Sequence, residues 1–271
     1  MRKILVVMAA ICASTWGQVW ADAGAGTKNT LTIEAGDAGT FGNFTLQDTK
    51  IDVDTTYGNP QGLVELQLGS SVLSIGASYA QSENGFTGAW KGDNEDGDGT
   101  INAKRSDANA FVRLGSRDSI NLRVGYRCFK YKFTDGFITQ RENGSVTEID
   151  KNASADGELT KGVDAEFNLV FGDAVQIALG IGGTYFMDAD YTWEYDQVQG
   201  GSTAHVTGSA TLNGYSARVR PEISFKLGDN VRIFANFTLQ ATTWEGTPDN
   251  GKDYPGIDMY SAVAAGVRVM L

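Results

Sequence analysis

Hydrophobic and polar residues alternate along most of the chain from about residue 44 to the C-terminus. In the last segment Val263, Ala265 and Val267 share one face, whereas Arg268 belongs to the other. A period of two residues is that of a β-strand with one apolar and one polar face. Ten segments are predicted as strands, at about 44–57, 62–69, 72–82, 100–115, 119–134, 158–172, 174–195, 210–228, 230–246 and 256–271.

Short and long connections alternate between these segments. Tight turns rich in Gly, Ser, Asp and Asn fall at 69–71, 115–118, 172–174 and 228–230, and longer polar connections at about 82–100, 135–158, 196–210 and 246–256. Antiparallel strands joined in this way form an up-and-down sheet whose two ends differ. Because 44–57 is a weak segment and Thr30 to Glu34 could also pair, eight and twelve strands remain alternatives to ten.

The polar face of the strands is strongly charged. A soluble sandwich also alternates, but strands of roughly 10 to 18 residues exceed the usual five or six and suit a tilted membrane crossing. We therefore predict an all-β fold, a closed up-and-down antiparallel transmembrane β-barrel with its apolar face toward lipid. The charged residues expected in its lumen are Arg113, Arg123, Arg127, Asp164, Glu166, Arg218, Arg220, Glu222, Arg232 and Arg268.

Aromatic residues gather toward the strand ends that precede or follow the long connections. They are Tyr79, Tyr126, Tyr185, Tyr191, Trp193, Tyr195, Tyr215, Trp244 and Tyr260. Aromatic girdles mark the two membrane interfaces of β-barrels, so this pattern predicts a girdle near the long connections. Hydrocarbon offers backbone amides no partner, and every strand edge must therefore be paired by closure.

The N-terminal residues have the pattern of a secretory signal peptide. Arg2 and Lys3 precede an apolar run from Ile4 to Ser14, and Val19-Trp20-Ala21 supplies a cleavage signal. The predicted organisation is a signal peptide at 1–21, an N-terminal periplasmic segment at 22–43 and the barrel at 44–271.

The charge of the chain limits its partners. The formal net charge is −11, and it becomes −13 without residues 1–21 because Arg2 and Lys3 are lost. A chain this acidic, with no basic run, is not expected to bind nucleic acid. Cys128 is the one cysteine left after that removal, which excludes an internal disulfide.

The signal peptide, the alternating hairpins and the C-terminal strand resemble those of Gram-negative bacterial outer-membrane β-barrel proteins. The resemblance covers nearly all of the mature chain. It implies the outer membrane as location, with outer-membrane lipid, lipopolysaccharide and the barrel-insertion machinery as partners. Such proteins usually end in an aromatic residue that the insertion machinery reads, and this chain ends in Leu271. An extracellular ligand is not indicated by the residues.

The stretch NEDGDGTINAKR at 94–105 is close to the calcium loop of an EF-hand. Asn94, Asp96 and Asp98 take the first three ligand positions, and Gly99 takes the sharp turn. Arg105, however, stands where the pattern has its bidentate Glu, and a cation there repels calcium. An acidic outer loop without a cofactor is predicted, with calcium at Asn94, Asp96 and Asp98 as the alternative.

His205 is the only histidine of the chain. Ten-stranded barrels include the omptin proteases, which use a His beside acidic residues at the barrel rim. Asp188, Asp190 and Glu194 could supply acids here, but no carboxylate stands two residues before His205. A solvated histidine and no enzymatic activity are predicted, with a rim-active hydrolase as an alternative.

The lumen charges allow two readings. Arg218 and Arg220 lie two residues apart on one strand and could reach Glu166 or another lumen carboxylate, so paired charges would fill and stiffen the barrel. Alternatively, mixed charges would line a narrow water-filled channel for small solutes. The function predicted first is a structural or surface-interaction role through acidic extracellular loops, with at most limited pore activity, and a porin-like diffusion channel is the alternative.

Overall fold

Ten antiparallel strands close into a ring in which each strand pairs with its neighbours in sequence and β1 pairs with β10. The structure is a computed structural model and describes residues 29–46, 49–68, 72–91, 95–248 and 256–271. The strands are β1 (Thr30–Leu46), β2 (Thr49–Gln67), β3 (Leu73–Lys91), β4 (Glu95–Gly115), β5 (Asn121–Glu142), β6 (Ser145–Phe171), β7 (Val175–Gln199), β8 (Ser202–Lys226), β9 (Val231–Pro248) and β10 (Gly256–Met270). The predicted fold class and the count of ten are confirmed. The described residues include no helix with the length and apolarity that a bilayer crossing needs.

The start of the barrel differs from the prediction. β1 begins at Thr30, so residues 30–43 belong to the wall and the predicted barrel start at residue 44 is wrong. The predicted strand 44–57 is also wrong, because it joins the end of β1 to the start of β2. Glycines along β1 blur its alternation, and pairing with β10 identifies it instead. The predicted signal peptide at 1–21 lies outside the described residues.

Three of the four long connections predicted from the sequence, at about 82–100, 135–158 and 196–210, consist mostly of strand residues. β5 runs to Glu142 and β6 starts at Ser145, so two residues join them, Asn143 and Gly144 with φ of 51° and 78°. Gly200 and Gly201, with φ of 57° and 82°, turn β7 into β8 in the same way. Two consecutive left-handed residues form a tight hairpin turn. The sequence pattern missed these strands because both faces of a hairpin beyond the membrane meet water.

A belt of exposed apolar side chains surrounds the half of the barrel that lies nearer the tight turns. Tyr126, Val163, Tyr185 and Tyr215 are consecutive partners across β5 to β8, and all four are exposed. The rings of Tyr185 and Tyr215 are 4.8 Å apart. Between this row and the tight turns the exposed residues include Ile75, Val112, Leu122, Val124, Phe167, Phe171, Ile177, Ile181, Val219, Ile223, Phe225, Ile233, Val263 and Val267. Apolar exposure this extensive fits acyl chains and not water.

A β-bulge in β7 changes which side chains face inward. The register shifts between Phe186 and Ala189, where Asp188 has a φ of 45°. Beyond it, Tyr191 and Trp193 pack against an inner cluster of Phe129, Phe186, Ala189, Ala210 and Leu212. The prediction that Tyr191 and Trp193 belong to the outer girdle is therefore wrong, whereas Tyr79, Tyr126, Tyr185 and Tyr215 are exposed. The side chains of Trp244 and Tyr260 lie outside the described part.

Candidate functional site: the charged lumen

Glu166 on β6 is the centre of the charged lumen. Its carboxylate accepts hydrogen bonds from Arg220 at 2.7 Å, Arg218 at 3.0 Å and Arg123 at 3.2 Å. The Glu166 side chain is 3% exposed. One buried carboxylate thus joins arginines from β5 and β8 on either side of it.

Glycines of β7 allow the arginine side chains of β8 to reach Glu166 on β6. Gly182 lies between Glu166 and Arg218 in the register, and Gly180 lies opposite Arg220. A Cβ at Gly182 would come within 3.0 Å of the Cβ of Glu166. Side chains at these positions would occupy the space through which the guanidinium groups pass. Gly180 and Gly182 therefore support the ion pairs by leaving lumen space.

Asp164, one step further along β6, anchors a second group of bonds. It accepts from Arg218 at 3.1 Å, from Asn109 at 3.0 Å and from the hydroxyl of Thr184 at 2.5 Å. Arg127 donates to Thr184 at 2.9 Å. It also donates through two nitrogens to Asp107, with the Nε bond at 2.8 Å. A bidentate arginine and carboxylate pair is among the strongest side-chain contacts.

A third layer lies toward the tight turns. Arg113 donates to Glu65 at 2.8 Å and Arg117 donates to the same carboxylate at 2.6 Å. Arg117 also contacts Glu34 on β1. Arg268 then donates to Glu34 and to Glu222, both at 2.6 Å.

Three members of this layer were not predicted. Glu34 and Glu65 fall in β1 and β2, whose segments were the weakest, and Arg117 stands in a turn. Arg232, which was predicted, is 4% exposed and lies 3.8 Å from Asp173 of the β6 to β7 turn. The other predicted residues all lie in one of two groups of ion pairs. Arg113, Glu222 and Arg268 belong to the layer toward the tight turns, and Arg123, Arg127, Asp164, Glu166, Arg218 and Arg220 belong to the group around Glu166 and Asp164.

Arginines of the network also rest on aromatic rings, which in turn cover glycines. The guanidinium of Arg123 lies 3.8 Å from the ring centroid of Phe111. A Cβ at Gly76 would come within 2.6 Å of that ring. A glycine next to a cross-strand aromatic lets the ring lie flat along the wall and hold the cation above it. Gly266, Phe234 and Arg268, and Gly162, Phe186 and Arg127, repeat the arrangement.

The EF-hand-like stretch has the backbone of a strand. Asp96 and Asp98 lie in β4, two residues apart, and both contact Arg141 of β5. An extended strand does not wrap around an ion as a calcium loop does, so the predicted acidic loop is wrong at 95–100. Asn94 lies outside the described residues, within which no three His, Cys, Asp or Glu side chains group as a metal site would need. Calcium at Asn94, Asp96 and Asp98 stays a prediction.

His205 lies near the tip of the β7 and β8 hairpin. Its Nδ1 is 2.9 Å from Asp196 and its Nε2 is 3.9 Å from Glu194. Asn152 donates to Asp196 at 2.9 Å, and this bond, followed by that with His205, lowers the pKa of the Asp196 carboxyl below its usual value. The His205 side chain is 59% exposed. The neighbouring Val206 is half-buried, so His205 occupies the alternate, water-facing side of β8.

A cavity of about 140 Å³ lies above the layer of Arg113 and Arg268, between it and the hairpins. Arg105, Arg127 and Arg220 are among its lining residues. Arg105 stacks on Phe129 with 4.1 Å between the guanidinium carbon and the ring centroid. A smaller cavity of about 40 Å³ lies within that layer, with Arg113, Arg117 and Arg268 among its lining residues. The larger cavity is therefore the main open space of the described lumen.

The barrel has counterparts among solved structures. No family model and no curated protein matches the sequence. The chain is similar to the outer membrane protease OmpT from Escherichia coli, at 13% identity and a TM-score of 0.51, over 90% of this chain and 96% of that chain. It also matches the translocator domain of the autotransporter NalP from Neisseria meningitidis, at 12% identity and a TM-score of 0.37, over 97% of this chain and 96% of that chain. Neisserial surface protein A matches at 14% identity and a TM-score of 0.30, over 90% and 98% of the two chains.

The closed sheet, the apolar belt and the charged interior together define an outer-membrane β-barrel protein. The likeness to OmpT shows the shared barrel fold and not a shared activity, because the two sequences are 13% identical. The predicted location in the cell outer membrane follows from the belt, which needs lipid around it.

Proposed function

We propose that this protein is a closed outer-membrane barrel with a structural and surface-interaction role, and not a channel or an enzyme. The observation that carries the proposal is the layer of buried ion pairs that crosses the lumen near the tight turns. Outer-membrane lipid and lipopolysaccharide are its proposed surroundings, and the barrel-insertion machinery is its proposed assembly partner.

The layer toward the tight turns spans the barrel and not only adjacent strands. Its contacts run from Glu222 on β8 to Arg268 on β10, on to Glu34 on β1, and through Arg117 to Glu65 on β2. These side chains are between 3% and 13% exposed. A solute crossing here would have to separate buried, hydrogen-bonded charges, which is strongly unfavourable. The layer is therefore an obstruction to diffusion.

The hairpins beyond the belt supply the interaction surface. They are continuous antiparallel strands, and their paired backbones give the surface a fixed shape. Their exposed acids outnumber their exposed lysines, so a cationic partner would be favoured. The exposed acids are Glu83, Asp135, Glu142, Asp156, Asp188, Asp190, Glu194 and Glu245, and the exposed lysines are Lys104, Lys130, Lys132, Lys151 and Lys161.

Planar-bilayer recording tests the closed state. The refolded wild-type protein is expected to insert and to give no steady ion conductance, because the lumen is obstructed by ion pairs. A difference in migration between the unheated and the heated sample in an electrophoretic gel would verify that the inserted barrel is folded. A stable unitary conductance from folded protein would contradict the proposal and favour the narrow diffusion channel.

A rim-active hydrolase is the second candidate because His205 and Asp196 form a hydrogen-bonded pair. This pair lies on the water-facing side of a hairpin, whereas the cavity lies in the lumen. His205→Ala is therefore expected to leave any hydrolysis of peptide or lipid substrates by the purified protein at the wild-type level. Loss of a measurable hydrolytic activity in His205→Ala, with Lys151→Ala unchanged, would establish the enzyme instead.

A further inference from the structure

The cavity in the hairpin half of the lumen has the size of a small ligand. Its volume of about 140 Å³ corresponds to about ten water positions, since one water needs roughly 10–15 Å³ measured in this way. The rings of Phe129 and Phe186, each 1% exposed, lie in the wall nearby. The shape of the cavity is fixed because strand pairing and ion pairs hold the residues that line it.

The lining of this cavity carries an excess of positive charge. Its guanidinium groups are those of Arg105, Arg123, Arg127, Arg218 and Arg220, and its carboxylates are those of Glu34, Asp107 and Glu166. The other members of the network are balanced, with Arg113, Arg117 and Arg268 against Glu65, Asp164 and Glu222. Two positive charges in excess therefore fall on the cavity of a chain whose formal net charge is −11.

Several hydrogen-bond donors that line the cavity are not fully used by the ion pairs. Among the described residues, Arg220 has one ion-pair partner, Glu166, which its Nη2 contacts, and its side chain is 29% exposed. The Nε of Arg123 and the hydroxyl of Ser82 are buried and have no partner within the described part of the protein. Buried donors without a partner are uncommon and costly, so a bound acceptor at this position would stabilise them.

We propose that this cavity binds a small oxyanion, a carboxylate or a phosphate group. The guanidinium fork matches two oxygens of such a group, and Arg220 is a lining residue of the cavity whose guanidinium is partly exposed. Cations are disfavoured by the excess positive charge, and the lining offers a concave site surrounded by low-dielectric wall, which focuses the field on an anion. Binding requires access from one end of the barrel only, so it does not depend on whether the barrel conducts.

Calorimetric titration of the folded barrel in a neutral detergent tests this inference, with inorganic phosphate and acetate as separate probes at low ionic strength. Saturable binding to one site is expected from at least one of the two. Arg220→Gln is expected to weaken that binding at least tenfold, and Lys226→Gln to leave it within twofold. Lys226 is the matched control because it loses the same charge at the other end of the lumen, where it pairs with Asp229 at 3.6 Å.

Another variant is expected to strengthen anion binding instead of weakening it. Asp107→Asn removes one lining carboxylate and weakens its pair with Arg127, which raises the excess positive charge of the lining, so binding is expected to tighten several-fold. Arg220→Lys keeps the charge without the fork, and it is expected to bind between wild type and Arg220→Gln. The absence of saturation with both probes, equal losses in Arg220→Gln and Lys226→Gln, or weaker binding in folded Asp107→Asn would each overturn the proposal.

Discussion

Glu166→Gln is expected to lower the free energy of unfolding by about 3–5 kcal/mol, the usual effect of removing one partner from a buried ion pair. The variant keeps the shape of the side chain but removes the negative charge that Arg123, Arg218 and Arg220 share. Arg218 retains Asp164, whereas Arg220 has no other carboxylate among its described contacts. Urea titration of the barrel in lipid vesicles, followed by tryptophan fluorescence, measures the change.

The specificity of this effect is checked by a matched carboxylate and by a double variant. Glu194→Gln removes an exposed charge, 59% accessible, and is expected to change stability by less than about 0.5 kcal/mol. Glu166→Gln combined with Arg220→Gln is expected to recover part of the loss, because the uncompensated guanidinium is removed as well. A loss in Glu166→Gln no larger than that in Glu194→Gln would show that the network does not hold the barrel together.

The faces of the strands follow from the sequence, but the partners across the lumen do not. Strand alternation places Arg218 and Arg220 on the polar face without any knowledge of the fold. That both reach Glu166 depends on Gly180 and Gly182 of the intervening strand, and on the register that sets them between the charges. A single sequence carries no direct record of register.

Bulges limit the prediction in another way. Alternation assigns Tyr191 to the same side as Tyr185, because the two lie six positions apart, an even number. The bulge at Asp188 inserts one extra residue, so Tyr191 turns inward while Tyr185 stays in the lipid-facing row. An aspartate in the left-handed region is the physical signature of this change, and nothing in the residue pattern distinguishes it from the aspartates that keep ordinary strand geometry.

The pairing of β1 with β10, which closes the barrel, was also not predicted from the sequence. We call it the closing seam, and a substitution there is expected to cause the second large loss of stability. Gly266 of β10 lies opposite Gly36 of β1, and a Cβ at Gly266 would come within 2.3 Å of the carbonyl oxygen of Ala35 and 2.8 Å of the Phe234 ring. Gly266→Leu must therefore displace backbone at the seam, and a loss of about 1–3 kcal/mol is expected from overpacking alone. Urea titration and the gel shift on heating would measure it. Gly228→Leu is the control, since nothing lies within 4 Å of its Cβ position, and equal stability of the two variants would contradict the role given to the seam.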